Sequence, residues 1–144
     1  MKSIAGSQLT GKWYKITRNP KGEELNFIEI FVYLSMSNEK FIDVLYVGVK
    51  EDRSKILRKS SLKIMKGNYC GYIVSKRLFY RKRYKVLLFD EENGIAVLSD
   101  MKKRSVSVYS KRSMLSHELL EDSLRRIDFS SYNDEVKIYS GHVV

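Results

Sequence analysis

Cysteine is almost missing from this chain: Cys70 is the only one in 144 residues. An intrachain disulfide is therefore excluded, and Cys70 lies too far from the N-terminus to accept a lipoprotein anchor. A lone thiol in the run "GNYCGYIV" reads first as a small buried hydrophobe and only second as a reactive group. Proline and tryptophan each occur once and histidine twice. His117 and His142 stand far apart in sequence, near no residues at metal-ligand spacing, so no metal is expected. No Ser/His/Asp arrangement, glycine-rich phosphate loop or Walker-type motif is present, so neither catalysis nor a cofactor is expected. No run approaches the roughly 18 apolar residues of a membrane span. Met1 to Gly11 has no apolar core of about seven residues and is not a signal peptide. The expected compartment is the cytoplasm if the chain is complete, and the periplasm or exterior if a leader has been removed.

What is abundant points to a folded, basic, β-rich protein. Hydrophobic residues make up 43%, with ten Tyr and six Phe, enough to build a core rather than a disordered chain. The length suits one domain spanning 1–144. Lys and Arg number 27 against 17 Asp and Glu, a formal charge of +10. Such a surface favours anionic partners: acidic lipid headgroups, anionic ligands or nucleic acid. It is equally the mark of a merely soluble surface.

Short β-branched and aromatic runs follow one another, separated by polar turns. They are Leu25 to Met36, Phe41 to Lys50, Lys55 to Lys66, Tyr69 to Ser75, Arg83 to Phe89, Ile95 to Asp100 and Ser105 to Lys111. With the opening stretch "LTGKWYKITRNP" they make about eight strands in meander order. That order predicts an all-β fold, an eight-stranded antiparallel up-and-down barrel or a sandwich, over about 9–112. A helix follows over about 116–129. Ser116 stands at its N-cap and Leu115 can staple against Leu120. Glu118, Glu121 and Asp122 load its first turns, and Arg125 and Arg126 its last. Leu120, Leu124 and Ile127 form one apolar stripe, which suits a helix packed outside a barrel. "VKIYS", 136–140, reads as a short final strand.

Three motifs carry a resemblance. Gly11-x-Trp13-Tyr14 opens the first strand. "YKVLLFDEENGIAVLSD" is similar to a hairpin that ends in Thr-Asp-Tyr, with Asp100 matching and Ser99 and Met101 replacing its neighbours. "VYSKRS" ends the eighth strand with Lys111 and Arg112 where a basic residue is expected. In this order the chain resembles the lipocalins, closest to the bacterial lipocalin and apolipoprotein D branch, over nearly its whole length. The resemblance implies the barrel rather than the sandwich, with a cup open at one end. Gly11, Trp13 and Lys111 or Arg112 then form its floor. The physical reason is independent: Trp13 is large enough to plug one end, and a cation stacked on the indole is worth roughly 0.5 to 2 kcal/mol.

The resemblance also implies a ligand inside the cup. The tyrosine of the second strand that reaches the cavity corresponds to Tyr33, which puts Phe31, Glu29 and Phe27 on the same inward face. The last strand would point Ser105, Ser107 and Tyr109 inward and Val106 and Val108 outward beneath the helix. Tyr46 and Tyr72 are further candidates, although a one-residue slip reverses each. The basic aromatic segment 76–85 supplies Arg77, Arg81 and Arg83 as rim candidates for an anionic head. The implied function is binding, transport or sequestration of a small hydrophobic ligand, a fatty acid or lysophospholipid or similar. Peripheral contact with an anionic membrane surface is an expected side interaction, and the protein is expected to be a monomer or homodimer. The alternative is a nucleic-acid-binding barrel that uses segment 76–85, since single strands are bound by basic grooves with stacking aromatics. A third reading, an enzyme acting on an enclosed substrate, rests on Cys70 alone.

Overall fold

The structure is a computed structural model that describes residues 4–18, 23–38, 41–65, 69–73, 81–103 and 105–132. Eight strands in sequence order close into an antiparallel barrel, β1-β2-β3-β4-β5-β6-β7-β8. They are β1 (Gly11–Lys15), β2 (Phe27–Met36), β3 (Ile42–Lys50), β4 (Lys55–Met65), β5 (Tyr69–Ile73), β6 (Arg81–Asp90), β7 (Ile95–Asp100) and β8 (Val106–Ser110). A 3₁₀ turn over Gly6–Leu9 precedes β1, and a second over Glu23–Asn26 leads into β2. Closure is made by β1 against β8, with Tyr14 opposite Ser110 and Lys15 opposite Tyr109. Beyond β1 the pairing continues, as the Ile16 amide donates to the Val108 carbonyl at 2.9 Å. The Val108 amide donates to Thr17 Oγ1 at 3.2 Å.

One helix, α1 (His117–Arg125), packs outside the barrel. Ser116 caps it, its side chain accepting from the Leu119 amide. Its apolar side covers the outward residues Ile95, Val97, Val106 and Val108 through Leu120 and Leu124, with Leu115, Ile127, Phe129 and Tyr132 closing the edges. The helix stops short of residue 129 because residues 126–132 turn back to bring those last three side chains onto the same cluster. A second tie is ionic: Arg126 Nη2 donates to Asp90 Oδ2 at 2.6 Å. The expected strand over 136–140 lies outside the described residues.

Alternation along the strands divides inside from outside, and two irregularities reset it. The interior cluster takes Trp13 from β1, Val32 and Leu34 from β2, Ile42, Val44 and Tyr46 from β3, and Leu62 and Ile64 from β4. Val86 and Phe89 come from β6, Ala96 and Leu98 from β7, and Tyr109 from β8. The β2–β3 register shifts between Phe27 and Glu29, and the β6–β7 register between Val86 and Leu88. Each bulge adds one residue, so the side chains beyond it change face relative to simple alternation. In β6 this lets Val86 and Phe89 both point inward while Leu87 and Leu88 join the cluster under α1.

Candidate ligand cavity

The floor is built first, from the chain's own start. Leu9 ends the first 3₁₀ turn and faces the interior, and the Trp13 indole N–H donates to its carbonyl at 2.8 Å. That bond satisfies the one polar group of a ring only 3% exposed, so Trp13 is buried without cost to its N–H. Phe89 meets the indole with ring centroids 6.2 Å apart. From beyond β8, Lys111 Nζ lies 4.4 Å from the Trp13 ring centroid and donates to the Thr10 carbonyl at 2.7 Å. Arg112 is exposed and places only its backbone N–H on Ser110 Oγ, so of the two expected cations Lys111 covers the ring. Burial pushes the Lys111 ammonium below its usual pKa.

Two glycines make room for that lysine. Gly11 has φ +110°, and a Cβ there would stand 2.7 Å from Lys111 Nζ. Gly94, in the β6–β7 turn, has φ +64°, and a Cβ there would meet Lys111 Cβ and Cγ at 2.9 Å. Gly11 therefore serves both a backbone shape that side chains disfavour and the approach of the capping cation.

Above the floor lies an apolar cavity of about 50 Å³. Its walls include Leu9, Trp13, Val32, Leu34, Phe89 and Tyr109. The mouth is at the opposite end, where the Glu23–Asn26 turn leads into β2. Here Glu24, from the second 3₁₀ turn, reaches Lys15 Nζ at 2.7 and 3.0 Å. The Tyr46 hydroxyl donates to Glu24 Oε2 at 2.9 Å. Arg18, itself buried, donates to the Lys15 carbonyl at 2.8 Å. Burial lowers the Arg18 pKa against the opposing attraction of Glu24. Arg58, opposite Tyr46 in the β3–β4 ladder, has its guanidinium 6.0 Å from the Tyr46 ring.

The expected cavity residues divide. Tyr109 lines the cavity, Tyr46 packs against the interior cluster, and Ser107 sits on the inner face opposite Leu98. Val106 and Val108 lie beneath α1. Phe27 is buried with its ring over Gly48, where a Cβ would come within 2.5 Å of it. Phe31 and Tyr33 are a correction: they are on the outer face. Phe31 packs with Val47, Val49 and Tyr14, while Tyr33 is 44% exposed. Lys12 Nζ lies 4.1 Å from the Phe31 centroid and 5.7 Å from that of Tyr33 on the same side. Glu29, opposite Val49, shares that outer parity. The reason is the bulge: alternation from Phe27 to Tyr33 is broken, so Phe27 faces in while Phe31 and Tyr33 face out. In their place Val32 and Leu34 line the cavity.

Tyr72 and Cys70 belong to β5, but their side chains lie outside the described ones. Arg77 lies outside the described residues, and of Arg81 only the backbone in β6 is described. Arg83 and Lys85 are exposed on the outer face, while Tyr84 shares the parity of inward Val86. The described part of segment 76–85 thus separates its cations from its aromatic ring. Among the described residues, no group of three His, Cys, Asp or Glu could hold a metal, and no helix is long and apolar enough to cross a membrane. Glu24, Lys15 and Arg18 were not expected in any site, because a charged residue in a polar loop carries no local sign of turning inward.

The sequence matches no protein-family profile and no curated protein. Solved structures do share the fold. Lobster apocrustacyanin A1 is 15% identical, covers 88% of this chain and 72% of its own, and superposes with a TM-score of 0.61. The siderocalin Ex-FABP is 17% identical over 95% of this chain and 99% of its own, with a TM-score of 0.63. The cockroach major allergen Per a 4 is 12% identical over 100% and 94%, with a TM-score of 0.69. All three are lipocalins, and the chain has the lipocalin fold. These likenesses do not single out the bacterial branch.

Proposed function

We propose that this protein binds a small hydrophobic molecule inside its barrel and carries or sequesters it, with a fatty acid or a lysophospholipid as the ligand class. The observation behind this reading is the apolar cavity, floored by Trp13 and walled by apolar side chains of β2, β4, β6, β7 and β8. Apolar walls supply affinity and the few polar groups at the mouth orient the ligand. The likeness to the siderocalin, which functions through dual ligand specificities, agrees with a binding role. No enzymatic role is proposed.

Size sets a condition on the proposal. The cavity of about 50 Å³ is smaller than the roughly 150 Å³ that admits benzene in an engineered core, and far below the roughly 300 Å³ of common ligand pockets. Binding therefore widens the interior, through the Phe89 and Tyr109 rings or through movement of the Glu23–Asn26 turn. Trp13, the sole tryptophan, reports on this directly, because it lines the cavity. Titration with a fatty acid is expected to change Trp13 emission with one-to-one stoichiometry, and a fluorescent fatty acid is displaced in parallel. Folded protein that shows neither response with any lipid or hydrophobic dye contradicts the proposal.

A further inference from the structure

The Glu24 carboxylate sits inside the barrel mouth rather than in water, which is unusual for a residue on a connecting loop. Its side chain is 13% exposed and that of Lys15 14%. A charge taken out of water costs free energy unless partners replace its hydration. Here Lys15 holds both carboxylate oxygens and the Tyr46 hydroxyl donates to one. Arg18 lies close enough for Glu24 to raise its pKa, and Arg58 stands beyond Tyr46. Lys15 is thus the cation that pairs with this inward carboxylate, and Arg18 lies within the field of both Glu24 and Glu29. The site reaches toward the cavity through Tyr46, which packs on the interior cluster opposite the cavity-lining Val32 while its hydroxyl meets Glu24.

We infer that the mouth holds a carboxylate-binding site, occupied here by the chain's own Glu24, which a carboxylate-headed amphiphile replaces when it binds. The inference rests on the cavity-binding reading and adds the head chemistry to it. The exchange conserves charge: one carboxylate leaves Lys15 and Tyr46 and another arrives, so no cation is stranded. It also explains how a tail gains room. Glu24 ties the Glu23–Asn26 turn across the mouth, and its release frees that turn to move as the tail descends. An uncharged amphiphile of the same length would have to open the same turn and leave Glu24 unpaired or still in the way. Charge-assisted hydrogen bonds of this kind discriminate by about tenfold or more.

Two measurements separate the head site from the cavity. First, Glu24→Ala is melted in sodium acetate and in sodium chloride at equal ionic strength, with Glu24→Gln as the conservative companion. Acetate is expected to recover at least half of the lost melting temperature in Glu24→Ala while chloride does not, and wild type responds equally to both. Second, dodecanoate and dodecanol compete with a fluorescent fatty acid. Wild type is expected to favour dodecanoate about tenfold, Glu24→Gln to bind dodecanoate about tenfold tighter with a smaller gain for dodecanol, and Lys15→Met to lose the preference. Equal action of acetate and chloride, with equal binding of acid and alcohol by every form, overturns the carboxylate site while leaving an apolar cavity standing. Acetate rescue without binding of either amphiphile does the reverse: the site stands and the cavity reading falls.

Discussion

Trp13 and Glu24 stand at opposite ends of one barrel, the first packing an apolar ring and the second pairing a charge with Lys15 and the Tyr46 hydroxyl. At the floor, each contact is short-range in shape: a ring, a lysine stem and two glycines that leave space for it. Removing any one leaves a void or a clash, so the floor is permanent. At the mouth, the contacts are exchangeable, since a carboxylate from another molecule satisfies Lys15 and Tyr46 as well as Glu24 does. The difference teaches which end can open. A plug that depends on packing resists substitution by a ligand, whereas a plug held by ion pairing and hydrogen bonds invites it.

The largest test of this contrast is Trp13→Ala, which removes the floor. It is expected to cost about 3 to 5 kcal/mol of unfolding free energy in denaturant titration. A loss equal to that of Glu24→Gln, expected to be about 1 kcal/mol, would erase the distinction between the ends. Next, Gly11→Ala forces a side chain into φ +110° against the Lys111 ammonium and is expected to cost about 1 to 3 kcal/mol. Adding Lys111→Ala relieves the contact but leaves the backbone strain, so recovery is partial.

Acid sharpens the comparison from the floor side. Burial alone would raise the Asp90 pKa, but hydrogen bonds from Asn93 and the ion pair with Arg126 overcome it and hold the carboxyl at about 2. A depressed carboxylate pKa stabilises the fold above the unfolded value, 3.8, and the contribution is lost as pH falls from about 4 to 2. Discounted for water around half-exposed Arg126, it is about 1 to 2 kcal/mol. Asp90→Asn is expected to flatten the pH dependence of the melting temperature over that window. The smallest effect is Lys111→Met, which removes the cation over the indole and is expected to cost about 0.5 to 1 kcal/mol by thermal melting.

Strand order, turns and the α1 stripe with its Ser116 cap were legible in the amino-acid sequence because each depends on neighbours a few residues apart, while the tryptophan floor was legible only through the resemblance that "GKWY" carries. The "GKWY" start and the strand series carry the barrel, and Leu120 and Leu124 pack where their spacing put them. Four features were settled by tertiary contact. Phe31 and Tyr33 face outward because β2 pairs with Val32 opposite inward Trp13 and Tyr46, and the bulge near Ile28 then turns Phe27 inward, in a run "NFIEIF" where both faces are apolar and alternation gives no parity. The same holds for Leu87 in "KVLLFD". Lys111 rather than Arg112 covers Trp13 because the last turn of chain after β8 aims one and not the other. Glu24 turns inward because Lys15 and Tyr46, from two strands far from it along the chain or across the barrel, supply the partners a buried carboxylate requires. Side-chain period and local caps act over a few residues; bulge position, cation choice and a charged plug depend on surfaces that meet only once the barrel has closed.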